Sequence, residues 1–290
     1  MPESDFGNPE AFFARYVGRD GGVPKNPVLI RETLAVLRDP ACSAQDLVHV
    51  LEKEPAVSSK VLKAANSVFY GTPRSITSLK AAIVRLGNHN ISRIALSASL
   101  AGGEGPLWGD FWRHSIAVGL LSRHIAQFTG TYTQQEMEEL FSMGLLHDLG
   151  AMIELDSGEF KRVERTIEAG PHTLSEAENL VFGFDHGRLG KHVSEQWNFP
   201  GDLVAAIGCH HQPEQNPEFY KKTIVVHLAD LVCHGFQIVS LPGEAPPPTQ
   251  DAYLEELNLP VEQLVIFGEW LLQQKDEIDA FGDLMRDASS

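Results

Sequence analysis

The stretch "GLLHDLG", residues 144–150, sets His147 directly beside Asp148 at the end of an apolar run. An imidazole and a carboxylate there can be donors to a cation, or can simply close a helix, whose negative end favours a histidine. For either residue alone the helix end is explanation enough, but they have company. His114 lies in "FWRHS", His186 in "FDHGRLGKHV", His210 and His211 in "IGCHHQP", and Asp230 in "HLAD". Most of these are attached to an apolar stripe: Leu140, Gly144 and His147 share a helix face, as do His186, Leu189 and Val193, and as do Leu203, Ile207 and His210. Six or seven such groups turned inward would leave several buried polar atoms unpaired without a cation. The set predicts a transition-metal cofactor, one or two ions. Nitrogen and oxygen donors without cysteine suit Fe, Mn or Zn, and this many imidazoles argue against Mg alone.

The same residues would serve hydrolysis if Asp148 bridged two ions for attack on a phosphoester. Arg188 and Lys191, on the helix that starts at His186, are the candidate phosphate contacts, against a simpler role as solvated helix charges. For His186 a structural role is as good an account as a ligand role, because Asp185 before it reads as an N-cap. His210 and His211 point two ways on a helix, so both face the core only if the helix ends there. His89, His124, His172, His192, His227 and His234 are assigned to surface or ordinary packing.

The elements that must position these groups are helical nearly throughout. "NPVLIRETLAVLRDP" has Asn26 as N-cap and an apolar face through Leu29, Ile30, Thr33, Leu34 and Leu37; Ser43 with Asp46, and Thr133 with Glu136, have capping-box spacing. "LKAAIVRLG" is closed by Gly87, and Asn90 reads as the N-cap of "ISRIALSASL". Past the glycine-rich "AGGEGPLWG", a long helix runs to Gly130, and the next ends on the HD pair with Gly150 as its stop. Further helices are predicted at about 159–169, 174–182, 186–197, 202–211, 223–234 and 261–274. No strand signal is convincing. The fold expected is all-α, with two packed helical subdomains at 15–104 and 105–240, then a proline-rich linker, "LPGEAPPPTQ", and a C-terminal helix within 241–290.

Composition narrows the partners. A net charge of −16 opposes broad nucleic-acid binding, and Lys and Arg form no patch. Three cysteines without C-x-x-C spacing argue against a disulfide framework and for a reducing, cytoplasmic setting; no apolar stretch reads as a membrane span or an exported leader.

"GLLHDLG", with His114 upstream and Asp230 downstream, resembles the HD superfamily of helical metal-dependent phosphohydrolases. The run "LEKEPAVSSKVLKAANSVFYGTPRSITSLKAAIVRLGNHNISRIALS", with its block of Asn66, Ser67, Tyr70 and Gly71, narrows the resemblance to the HDOD family over roughly residues 15–240. That resemblance implies a bacterial, all-helical, cytoplasmic regulatory module whose second half is an HD-like helical bundle. It carries the HD ligands onto His114, His147, Asp148 and Asp230, and the extra histidines of the two-metal HD-GYP phosphodiesterases onto His186, His210 and His211. Asp110, one turn before His114, stands where those relatives add a carboxylate. The lysine three residues past their HD pair is Ala151 here, and no Gly-Tyr-Pro follows His211. The function expected is therefore signalling through protein partners, with hydrolysis of a nucleotide or other phosphoester as the alternative and no efficient turnover of cyclic di-GMP. Asn66 and Tyr70 are read as a helix terminus, Asn66 bonding to backbone.

Overall fold

The computed structural model describes residues 6–17, 27–39, 41–66, 76–100 and 106–286. Seventeen α-helices follow in order: α1 (Pro9–Tyr16), α2 (Pro27–Arg38), α3 (Ala44–Glu52), α4 (Pro55–Ala65), α5 (Leu79–Leu86), α6 (Asn88–Leu100), α7 (Pro106–Thr129), α8 (Gln134–Leu146), α9 (Leu149–Ser157), α10 (Phe160–Ala169), α11 (Leu174–Phe182), α12 (His186–Gln196), α13 (Gly201–Cys209), α14 (Tyr220–Gly235), α15 (Asp251–Glu256), α16 (Gln263–Gln273) and α17 (Lys275–Arg286). No strand occurs among the described residues, and none of their helices is long and apolar enough to cross a membrane. Cys42, Cys209 and Cys233 are all free.

Local chemistry accounts for most boundaries. Ser43 with Asp46, and Thr133 with Glu136, close reciprocal capping boxes at the starts of α3 and α8, and Thr173 with Glu176 does the same for α11. Asn66 pins the end of α4 to Ile76, accepting from its N–H at 2.6 Å and donating to its carbonyl at 2.8 Å. It does bond to backbone; its companions Ser67, Tyr70 and Gly71 lie outside the described residues, as do Asn26 and the 101–105 stretch that holds the expected subdomain boundary.

Two boundaries differ from expectation. Helix α6 begins at Asn88, and Asn90 lies inside it, donating to the Leu86 carbonyl at 2.8 Å. Gly150 does not stop a helix: α8 ends at Leu146, the chain turns through the HD pair, and Gly150 belongs to α9. There it permits close approach, since a Cβ on it would fall 1.9 Å from the His186 carbonyl oxygen. A second such crossing joins α8 to α7, where a Cβ on Gly144 would lie 2.7 Å from the Val118 oxygen and 2.9 Å from Gly119 Cα. These backbone contacts set how near α7 comes to α8 and α9 to α12, the helices that carry or flank His114, His147, Asp148 and His186.

The apolar faces of α2 and α6 pack on α8, and buried ion pairs tie the N-terminal helices to the rest. Arg93 chelates the Glu138 carboxylate, which also accepts from Arg123 at 3.0 Å; Arg38 meets Asp202 at 2.8 Å, and Lys222 bridges Asp202 and Glu139. Helix α1 packs instead on α12, with Phe12 edge-on to Phe182 and Phe184. The expected C-terminal helix is α16; it buries Phe267 and Leu271, half-buries Leu264, and packs on α14 and α7. Residues beyond it, not anticipated as ordered, form α17, which lays Ile278, Phe281 and Met285 along α7.

Candidate metal centre

Four core elements and one helix end converge on a single buried point. His114 comes from the middle of α7; His147 and Asp148 from the turn between α8 and α9; His186 from the first residue of α12; His210 and His211 from the end of α13; Asp230 from α14. Helix α13 stops at Cys209 with His210 as its C-cap, still at helical dihedrals, and the rings of both His210 and His211 lie against that of His186. Asp148 occupies the N-cap position of α9 but makes no capping bond, so its carboxylate is left for the interior. His114, His147, Asp148, His186, His210 and Asp230 are each no more than 4 % exposed.

The imidazoles are held in one orientation. Nδ1 of His114 lies 2.8 Å from the Ile238 carbonyl, Nδ1 of His147 lies 2.8 Å from that of Gly144, and Nδ1 of His210 lies 3.0 Å from that of Ile207. A carbonyl only accepts, so Nδ1 carries the proton in each ring and Nε2 of the neutral ring presents its lone pair inward. His186 reaches the same tautomer through a carboxylate: Glu178 accepts from Nδ1 at 2.9 Å and from the His186 backbone N–H at 3.0 Å. A buried acceptor behind the ring is the arrangement that fixes metal-ligating histidines.

The inward atoms fall into two groups. The donor atoms of His114, His147 and Asp148 lie within 4.8 Å of one another, as do those of His186, His210 and His211. Nε2 of His114 and Nε2 of His147 stand 3.2 Å apart; those of His186 and His211 stand 3.0 Å apart. Asp148 lies between the groups, with Oδ2 3.3 Å from His147 Nε2 and 3.8 Å from His114 Nε2, and Oδ1 3.5 Å from His210 Nε2 and 3.7 Å from His186 Nε2. Asp230 Oδ1 lies 3.3 Å from His114 Nε2.

Charge confirms what the geometry asks for. Burial would push the Asp148 carboxyl up, yet the imidazoles around it, His147 foremost, hold it well below the usual range. Burial would lower His114, but Asp230, Glu244 and Asp148 raise it to about 10; His186 is likewise raised against burial by Glu178. His211 is lowered to about 4 by burial and by the neighbouring His186. The carboxylates thus draw positive charge into the cavity, while His210 Nε2 and both Asp230 oxygens are buried with no hydrogen-bond partner. Paired lone pairs 3.0–3.2 Å apart, orphaned donors and an excess of negative charge suit a cation, and the N/O donor set suits a transition metal.

Three candidates are not brought to this point. Asp110 is exposed and pairs with Arg113 at 3.3 Å, among the contacts that fasten α17. Arg188 and Lys191 lie on the outer side of α12 and are exposed. They stand two and five residues past His186, positions opposite the buried stripe of His186, Leu189, Gly190 and Val193.

Other residues were not foreseen. His234, expected to pack ordinarily, lies one turn after Asp230 with Nε2 3.4 Å from Asp230 Oδ1; that i, i+4 relation to a candidate ligand was a usable signal. His227 is buried in a supporting role, its Nδ1 2.7 Å from the His210 carbonyl. Glu178 stands behind His186, and Glu154 beside it is pushed well up by burial and by the Glu178 charge. The proline-rich segment, read as a linker, lines the mouth of a cavity of about 230 Å³ above the two ligand groups.

The comparisons agree with this architecture. An HDOD domain protein of unknown function from Geobacter sulfurreducens superposes with a TM-score of 0.75 at 23 % identity, with 96 % of each chain covered. A candidate signal transduction protein from Marinobacter aquaeolei VT8 gives 0.75 at 21 % identity over 95 % of this chain and 64 % of its own. A candidate phosphohydrolase from Shewanella amazonensis SB2B gives 0.67 at 20 % identity over 95 % and 98 %. These likenesses establish a shared fold. An uncharacterised protein of Treponema pallidum (strain Nichols) is 24 % identical over 243 residues, 80 % of this chain, which spans 45 % of that relative's length. The HDOD domain model matches residues 23–213, two thirds of the chain and most of the elements that build the site, and the protein therefore belongs to the HDOD domain family.

Proposed function

We propose that this protein is a signalling module of the HDOD family whose HD-like half holds one or two transition-metal ions and whose output is contact with protein partners. The observation that carries the reading is the pairing of a convergent His/Asp ligand set with a cavity that, among the described residues, offers a phosphate no amine or guanidinium. His114, His147, Asp148 and Asp230 form one side of the metal site, and His186, His210 and His211 with the second Asp148 oxygen form the other. Among the described residues no lysine or arginine lines the cavity. Ala151, where related phosphodiesterases have a lysine, is fully buried. Loss of such a cation removes a stabiliser of developing phosphate charge worth a few kcal/mol, on the order of a hundredfold in rate. At about 230 Å³ the cavity is also smaller than the roughly 300–1,000 Å³ usual for ligand pockets.

The alternative, a metal-dependent phosphohydrolase for a small phosphoester, is favoured by one feature, the position of Asp148 between the two ligand groups. A divalent ion bound there supplies Lewis acidity; the chain supplies orientation through the Nδ1 contacts and exclusion of water by burial. Metal-loaded protein assayed against cyclic di-GMP, mononucleotides and simple phosphomonoesters separates the two readings. The signalling reading expects no turnover above background. Turnover above about one per second, abolished by Asp148→Ala, overturns it in favour of the enzyme.

A further inference from the structure

The segment that follows α14 crosses the mouth of the metal cavity, with Ala245–Pro248 forming its outer wall. Polyproline backbone has no internal hydrogen bonds, so such a segment stays in place only through outside ties. Leu174 N–H donates to the Gly243 carbonyl at 2.7 Å. The other tie is Glu244: its carboxylate accepts from Ser240 N–H at 3.0 Å and from the Ser240 hydroxyl, which also lies 3.4 Å from Asp148 Oδ2. Glu244 is thereby turned inward. Its Oε2 stands 3.8 Å from His234 Nε2, and that nitrogen stands 3.4 Å from Asp230 Oδ1, whose carboxylate is buried and has no hydrogen-bond partner.

Resting on the metal-centre reading, we propose that Glu244 and His234 are cation-binding residues of the His114–His147–Asp230 side of the site. Glu244 supplies from the proline-rich strap the carboxylate that Asp110, facing outward, does not. The cation then closes the strap over the cavity, and entry requires Glu244 to let go. Two arguments support this. Ser240 uses one acceptor position on each Glu244 oxygen, and a carboxylate has about four, so the inward ones are free for a cation. Asp148, Asp230 and Glu244 together also bring three carboxylates to this cavity, oxygen donors of a charge that favours a divalent cation.

The test uses the full chain, stripped of metal and then loaded with Mn²⁺ or Zn²⁺. Hydrogen exchange is followed at the amides of Leu174, Ser240, Glu244 and Ala245, and metal affinity is measured by calorimetry. Metal is expected to slow strap exchange roughly tenfold or more in the unaltered protein. Glu244→Gln and His234→Asn are expected to lower affinity by about 10- to 100-fold. At saturating metal Glu244→Gln loses the strap protection, and Glu244→Asp recovers part of it. Metal uptake by the unaltered protein with no change in strap exchange, or Glu244→Gln behaving like the unaltered protein, overturns the proposal while leaving the metal centre standing. No uptake of either metal overturns both.

Discussion

Replacing Asp148 by asparagine tests the site at its centre. The substitution keeps the shape but removes the charge and turns one of two acceptor oxygens into a donor. Because Oδ2 faces His147 at 3.3 Å and Oδ1 faces His210 at 3.5 Å, either rotamer of the amide spoils one ligand group and weakens the other. If an ion binds with Kd near 1 µM, 100 µM free metal stabilises the fold by about 2.7 kcal/mol. At roughly 2–4 °C per kcal/mol for a chain of this class, the unaltered protein should gain about 5–10 °C in Tm on loading with Mn²⁺ or Zn²⁺. Asp148→Asn should gain less than about 2 °C under the same conditions. His210→Ala, which touches only one group, should keep part of the gain and about half of the bound metal in a two-ion site. Thermal unfolding at several metal concentrations, with elemental analysis of each protein, provides both readouts. A gain in Asp148→Asn equal to that of the unaltered protein refutes the bridging geometry. Less than about a tenth of an equivalent of metal in the unaltered protein, with Tm indifferent to chelation, refutes the site.

Three other outcomes follow from the packing. Glu138→Gln should cost about 3–5 kcal/mol in denaturant unfolding, because it leaves Arg93 and Arg123 facing a buried neutral amide. Burial would raise the Glu138 carboxyl, but Arg93 and Arg123 hold it below 4.5; its contribution is therefore present above that pH and lost as pH falls through the lower folded-state value, and the acid limb of a stability–pH curve should flatten in Glu138→Gln. Gly150→Ala should cost about 1–3 kcal/mol and weaken metal binding, since its Cβ would meet the His186 carbonyl oxygen at 1.9 Å and push α12 away from Asp148; normal metal content in this variant would show that the crossing does not set the site. Asp110→Ala should leave metal content unchanged and shift stability by less than about 1 kcal/mol, and a drop in bound metal would restore Asp110 as a ligand.

How much of this was legible depended on whether a feature is local. Capping boxes at Ser43 and Thr133 and the stripe of α16 are written within one helix, and the structure agrees with each. His147, His186 and His210 drew attention because each sits on an apolar stripe, and the structure brings them together with His114, Asp148, His211 and Asp230. Arg188 and Lys191, weighed as phosphate contacts against a simpler role as solvated helix charges, are exposed, as the periodicity counted from His186 places them. Gly150 looked like a stop because a glycine after an apolar run has two uses, and only the partner backbone of α12 distinguishes a cap from a crossing. Glu178, Glu244 and the strap were not legible at all. Their roles come from contacts across 8 residues to His186 and, through Ser240, across 92 residues to Asp148, and nothing in a proline-rich stretch says which cavity it will lie against.

On the signalling reading, the cavity's electrostatics bear on why this site would keep a metal. Among the described residues the cavity is lined by the carboxylates Asp148, Asp230 and Glu244 and by imidazoles, with no lysine or arginine, so the carboxylates draw a cation in and a phosphoester meets no amine or guanidinium there. The same ligands come from α7, the α8–α9 turn, α12, the end of α13 and α14, so an ion that holds them together joins elements far apart in sequence. Its binding free energy is then folding free energy for the second half of the molecule. Helix α12 begins with His186 and packs against α1, where Phe13 lies edge-on to His192, while Phe12 meets Phe182 of α11 and Phe184 just before α12. On the signalling reading, this gives metal occupancy a route to the N-terminal end of the chain through one rigid helix. Such a route predicts that metal removal slows or speeds exchange in α1 together with α12, whereas a change confined to the ligand turns would mean that the metal only stabilises its own pocket.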